Sequence, residues 1–280
     1  MPQNVWTPTT GNYDTTANWL LARKPEAADD VVIPAETTIA IDSNADGEDA
    51  IDLASIQIQR GHTPDIATSG VPWAISTAKL VHQGGGTLFF SAGSATLPAV
   101  NECIIDATPI AADRLSASLT GTAAAADWGD ITVVRGWVDI EAVTFTIARL
   151  IVGAMGAQAS TAKVNVKSVN GLITLMIVNS GEVLLNRPVT TLIVNGGRVV
   201  IDDFKPVTVH QYGGVVEYKT PTTVGDITEY NLGGGTLDLT ASFEPKGITT
   251  LNRWGRPESQ SLLEDQNVTI TNRNDYRIPG

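Results

Sequence analysis

Ile177-Val-Asn-Ser-Gly181-Glu-Val-Leu-Leu185 is followed by Leu192-Ile-Val-Asn-Gly-Gly197-Arg-Val-Val-Ile201, and these two lines decide the fold. The phrase returns as Val209-His-Gln-Tyr-Gly-Gly214-Val-Val-Glu-Tyr218 and as Leu232-Gly-Gly-Gly235-Thr-Leu-Asp-Leu239. Earlier copies are Val134-Arg-Gly136-Trp-Val-Asp-Ile140 and Gly84-Gly-Gly86-Thr-Leu-Phe-Phe90. Each copy is an apolar strand, a glycine, and a second strand that alternates. A self-similar β unit at short period implies stacking, because one unit alone cannot bury its apolar face.

Alignment on the glycine makes the physics explicit. Two residues after it stand Val183, Val199, Val216, Leu237, Val138 and Leu88; four after it stand Leu185, Ile201, Tyr218, Leu239, Ile140 and Phe90. All are apolar, while the residue between them can be Glu217, Asp238 or Asp139. That is a period of 2, a strand with one buried face. Five residues before the glycine come Met176, Leu192, Val209, Tyr230, Ile131 and Val81, again apolar. The glycine marks a corner that needs positive φ or close backbone approach.

Gly181, Gly197, Gly214 and Gly235 are 16, 17 and 21 residues apart, and Pro188, Pro206, Pro221 and Pro245 fall between the strand pairs. One glycine corner and one proline corner per unit fit a coil of short parallel rungs. The expected fold is therefore all-β, a parallel β-helix or β-solenoid with an N-terminal cap and a C-terminal tail. The alternative is an antiparallel β-sandwich, in which the same glycines would sit in hairpin turns.

Composition narrows the function. The 280-residue chain is 42% hydrophobic, rich in Gly (26) and Pro (14), and carries a formal net charge of −12. Its 18 Lys and Arg form no run, so it lacks the cationic face of a nucleic-acid binder or of a protein drawn to anionic membranes. No apolar stretch is long enough for a spanning helix. The opening Met-Pro-Gln-Asn-Val-Trp has no basic segment or apolar run of a secretory signal, and the single Cys103 excludes an internal disulfide framework. The expectation is assembly in a reducing cytoplasm, with Cys103 a core thiol.

Three regions are expected: an aromatic and proline-rich cap at 1–34, the repeating body at 35–251, and a polar tail at 252–280 in which Val268-Thr-Ile270 can form one strand. The stretch from Asp113 to Leu119 is read as a helical turn, and Leu119 to Trp128 as a loop or short turn.

Few residues suggest chemistry. Asp42, Asn44 and Asp46, followed by Gly47, place oxygen ligands at alternate positions as a Ca2+ loop does, but Leu53 stands where a bidentate Glu belongs, and a solvated acidic turn explains the pattern. Asp202 and Asp203 are adjacent, so in an extended chain they point to opposite faces. Glu141, Glu182 and Glu217 are candidates for an outer-face acid/base pair, although their offsets from the glycines differ. His62, His82 and His210 are too dispersed for a local metal motif. Trp137 and Tyr212 lie near corners where they can project outward.

Trp6, Gly11-Asn-Tyr13, Asn18-Trp19, Pro25 and Asp29-Asp-Val-Val-Ile33, together with the Gly-Gly rungs at Gly197, Gly214 and Gly235, resemble the lead-in and rungs of β-helical surface proteins of bacteria and phages. The tailed-bacteriophage branch fits best: capsid decoration (cement) proteins and tailspikes. The resemblance implies a structural virion protein without enzymatic activity. It would be assembled in the host cytoplasm and seated on the capsid surface as a homotrimer that contacts the major capsid protein. The alternative is a tailspike or tail-fibre module that binds or cleaves a host glycan. No site residues come with the resemblance. The expected partner contacts are Trp6, Tyr13, Trp19, Trp254 and Tyr276, because aromatic residues dominate interface hot spots.

Overall fold

The computed structural model describes residues 2–42, 52–92, 100–108, 111, 114–121, 128–142, 146–155, 161–167, 171–219, 225–240, 245–255 and 259–277. The chain is all-β, with a short 3-10 turn at Thr16–Asn18. It divides into two compact units, Met1–Ala148 and Arg149–Gly280. The first contains β1 (Gln3–Val5), β2 (Asp30–Ile33), β3 (Asp52–Ile58), β4 (Trp73–His82), β5 (Leu88–Ala92), β6 (Glu102–Asp106), β7 (Leu115–Gly121) and β8 (Trp128–Ala142). After β9 (Ile147–Val152), which straddles the boundary, the second contains β10 (Ala162–Lys167), β11 (Ile173–Val178), β12 (Glu182–Asn186), β13 (Val189–Val194), β14 (Arg198–Ile201) and β15 (Pro206–Gln211). It continues with β16 (Val215–Tyr218), β17 (Ile227–Leu232), β18 (Gly235–Asp238), β19 (Lys246–Gly255), β20 (Gln260–Leu263) and β21 (Val268–Arg277).

Pairing in the C-terminal unit skips one strand each time. The ladder β11–β13–β15–β17–β19–β21 is parallel throughout, and so is β10–β12–β14–β16–β18–β20. The N-terminal unit is parallel as well but pairs several consecutive strands: β1–β2–β3–β4–β6–β8 form one ladder and β4–β5–β7–β8 the other, with the long strands β4 and β8 serving both. Among the described residues these ladders contain none of the antiparallel strand pairs that a sandwich's hairpins would make. An antiparallel contact occurs at the Trp6–Trp19 bridge.

The register stacks like on like. Met176, Leu192, Val209, Tyr230 and Leu251 form one buried column, and Val164, Val183, Val199, Val216 and Leu237 another. Burying such a side chain contributes about 1.5–3 kcal/mol, so a one-residue slip, which turns a column outward, is strongly disfavoured. Gln211 interrupts the inner positions and is satisfied there: its Nε2 donates to the Thr236 carbonyl at 2.9 Å, and its Oε1 accepts from Tyr230 Oη at 2.5 Å.

The corner glycines also stack. Gly181, Gly197, Gly214 and Gly235 all have positive φ. Each Cα faces the backbone one rung below, so that a Cβ on Gly197 would lie 2.5 Å from the Gly181 carbonyl oxygen. Gly86 differs: its φ is not positive, but the Pro64 carbonyl closes on it from below.

Several sequence expectations need correction. In the Gly86 copy the buried residue is Leu80, which pairs with Cys103, while Val81 is half-buried, because one extra residue precedes that corner. Leu115 to Leu119 is strand, not helical turn, and is held between β5 and β8. The tail expected at 252–280 is not separate: β19 runs through residue 252, and β20 and β21 extend both ladders. The expected cap at 1–34 likewise supplies β1 and β2 to the main ladder. Its intervening loop covers the outer edge of β1, where Leu20 N–H donates to the Val5 carbonyl and Thr7 N–H to that of Asn18.

Candidate functional site

Three of the five aromatic residues expected at partner contacts are core. Trp6 and Tyr13 are fully buried and Trp19 nearly so. They begin a chain of edge-to-face rings that runs Trp6–Trp19–Tyr13–Trp73–Phe90–Trp128, with centroids 4.9, 5.2, 5.7, 6.4 and 6.0 Å apart. Such pairs add to the large apolar area each ring buries. Trp19 Nε1 donates to the Tyr13 carbonyl at 2.8 Å. Buried Asn18 organises the loop: its Oδ1 accepts from the Thr9 and Thr10 amides, and its Nδ2 donates to the Asn12 carbonyl at 2.7 Å. These residues shape the end of the unit from within and are not a docking surface.

The other candidates divide similarly. Asp42 Oδ1 accepts from the Tyr13 amide at 3.0 Å, while Asn44 and Asp46 lie outside the described residues. His62 and His82 are both buried. His82 Nε2 donates to the Ser116 carbonyl at 3.1 Å, and desolvation pushes the imidazole pKa down to about 4. His62 shifts the same way, also chiefly through burial. Cys103 is buried in the core, as expected, and desolvation raises its pKa. Asp202 and Asp203 are exposed in the bend after β14.

Glu182 and Glu217 are brought together, a proximity that their unequal offsets concealed. Arg198, between them in the ladder, holds Glu217 with two bonds of 2.6 and 2.9 Å and Glu182 with one of 2.5 Å. Its guanidinium pKa is raised, first by the bond to Glu217. Two carboxylates sharing one cation do not form the proton-donor and nucleophile pair of a glycosidase, in which one carboxyl must stay protonated. Glu141 belongs to the N-terminal unit.

The exposed aromatic residues of the C-terminal unit are the better candidate. Trp254 and Tyr276 pair across β19 and β21 and stack, with centroids 4.3 Å apart and planes 18° from parallel. They are 47% and 49% exposed, and Tyr212 is 62% exposed. One step past the paired residues Val178, Val194, Gln211 and Leu232 stand Asn179, Asn195, Tyr212 and Gly233, and the same step past Arg253 reaches Trp254. A single outward column thus reads Asn179, Asn195, Tyr212, Gly233, Trp254, Tyr276. Asn195 Nδ2 donates to Asn179 Oδ1 at 2.8 Å, so neighbours in the column touch. At Gly233 the column has no side chain.

The next column is Ile193, His210, Asn231, Asn252 and Asn274. Its amides form a chain: Asn274 Nδ2 donates to Asn252 Oδ1 and Asn252 Nδ2 to Asn231 Oδ1, each at 2.9 Å. Glu229 Oε1 accepts from Asn231 and Asn252 at 3.1 Å each. His210, Tyr212, Glu229, Asn231, Gly233 and Trp254 together line a groove of about 410 Å³. Sequence reasoning named Tyr212 and Trp254 separately. It missed the gap, whose signal is the residue two before each corner glycine: Asn179, Asn195, Tyr212, then Gly233.

No protein-family model matches the chain, and no curated protein or solved structure is significantly similar to it.

Proposed function

We propose that the chain is a structural virion protein of a tailed bacteriophage, a parallel β-helix that decorates the capsid as a homotrimer in contact with the major capsid protein. The fold part of this reading is supported by the wiring. A strand that pairs in parallel with the second strand after it, in two ladders at once, closes one turn of a coil per pair of strands. The glycine repeat and the resemblance of the first 34 residues support the virion part.

The observation that carries a scaffold role over glycan cleavage is the Arg198 clamp. The outer-face carboxylates that a cleaving rung would use are tied to one guanidinium, and their charge is spent on holding three rungs in register. A decoration protein needs such a body, because it acts by burying area across capsomer junctions, and three copies joined multiply weak contacts.

Purified particles test this directly. Mass spectrometry of the virion is expected to find hundreds of copies per particle, and cryo-electron microscopy to place them on the shell. The isolated protein is expected to elute with three times the 29.5 kDa chain mass. A handful of copies confined to the tail would remove the decoration reading.

A further inference from the structure

The gap at Gly233 lies between two aromatic rings, and we propose that it binds a neutral pyranose ring of a glycan, stacked between Trp254 and Tyr212. The proposal goes beyond the decoration role and does not depend on it.

Trp254 and Tyr276 lie one rung apart, their rings nearly parallel and 4.3 Å between centroids. That separation is close to the spacing of adjacent strands, about 4.8 Å, so the rings are stacked along the ladder. Tyr276 covers one face of Trp254. The opposite face looks along the ladder to the rung of Gly233, where no side chain stands. Beyond it is Tyr212, two rungs from Trp254, whose ring leans over Gly233: Cδ1 and Cε1 lie 3.3 and 3.7 Å from the place a Gly233 Cβ would take. A guest between two ring faces needs contact distances of about 3.5–4 Å on each side. Tyr212 is exposed, so its ring can turn to admit a guest between it and Trp254.

Polar groups flank the same slot. Glu229 uses Oε1 to accept from the two asparagine amides, and its Oε2 has no hydrogen-bond partner among the described residues. The His210 ring and the Tyr212 hydroxyl likewise make no hydrogen bond among those residues. The groove therefore offers an anchored carboxylate acceptor, an imidazole and a phenol beside an apolar face. That combination suits the hydroxyl-bearing edge and C–H face of a sugar. Its volume of about 410 Å³ is at the small end of ligand sites and suits one or two sugar rings. Glu229 and the net charge of −12 disfavour acidic sugars and phosphate-bearing guests.

Gly233 also provides the decisive variant. Its φ is not in the positive range, and a Cβ there would meet Tyr212 Cδ1 at 3.3 Å, an exposed ring that can turn. Gly233→Leu is therefore compatible with the backbone and fills the slot.

The test is saturation-transfer NMR and tryptophan fluorescence titration of the full chain. The probes are methyl glucoside, methyl galactoside, N-acetylglucosamine and rhamnose, with glucuronate as the anionic control. At least one neutral pyranoside is expected to bind with millimolar affinity, with transfer strongest from the C–H protons of one ring face. Trp254→Ala is expected to weaken binding at least tenfold and Gly233→Leu to abolish it, both with unchanged thermal unfolding. Glucuronate is expected to bind more weakly than the neutral probes. Failure of every neutral pyranoside at 50 mM would overturn the proposal, and so would undiminished binding by Gly233→Leu. If Gly233→Leu detaches the protein from virions while no pyranoside binds the parent chain, the aromatic column is a protein contact and the glycan site is refuted.

Discussion

Replacing Gly197 by alanine tests the stacking of corner glycines directly. Two costs add. Gly197 has φ +76°, a conformation that costs an L-residue about 1–2 kcal/mol. The new methyl would also lie 2.5 Å from the Gly181 carbonyl oxygen, where ordinary contact is 3.4 Å or more. The obstacle is backbone, so relief requires the rungs to part. The bonds that hold them there are Arg198 N–H to the Gly181 carbonyl at 2.8 Å and Val215 N–H to the Gly197 carbonyl at 2.9 Å. Losing one costs a further ~1 kcal/mol, for a total of about 2–3 kcal/mol. At roughly 2–4 °C per kcal/mol for a unit of this size, the melting temperature should fall by about 4–12 °C. Gly70→Ala is the matched control: its φ is not positive and a Cβ there meets nothing within 4 Å, so it should be neutral or slightly stabilising. Thermal and urea unfolding of the two variants side by side provide the measurement. Equal stabilities would refute the claim that backbone approach, rather than sequence habit, demands glycine at the corner.

Trp73→Ala, in the middle of the buried ring chain, should cost about 3–5 kcal/mol in urea unfolding. Trp6→Ala should likewise act on stability, lowering partner binding only as far as the folded fraction falls. His82 predicts an acid-sensitive core. Above pH 6.5 the imidazole is neutral in both folded and unfolded chains. Between 6.5 and about 4 the unfolded chain takes up a proton that the folded one excludes, so stability falls with pH by about 3 kcal/mol. Urea midpoints of wild type and His82→Leu across that window should diverge in slope, and parallel curves would count against it. Arg198→Met should change stability by less than about 1 kcal/mol, because the clamp is solvent-exposed. Glycan-cleavage assays on this variant, with Glu182 and Glu217 released, should remain blank.

Legibility followed locality. The inner positions around Gly181, Gly197, Gly214 and Gly235 were readable because each depends only on alternation within a short strand. The same alignment failed at Gly86, where a single extra residue moves burial from Val81 to Leu80. The last strands read as a tail because the sequence after Asn252 loses the apolar alternation, and among the described residues β21 has no fully buried side chain. β21 pairs with β19 in parallel along its length, so its hydrogen bonding persists where its apolar period fades.

The sequence by itself determined the unit: period-2 strands, a glycine corner, an acidic surface and an all-β chain. Only the tertiary structure decided which aromatic residues face inward. A tryptophan serves a core and an interface equally well, and the fate of Trp6, Tyr13 and Trp19 depends on Trp73, Phe90 and Trp128, far along the chain. The same holds for Gly233. In the sequence it is one of three consecutive glycines; ladder register makes it the gap between Tyr212 and Trp254. Register is fixed by the summed burial of whole columns, and no single segment contains that sum.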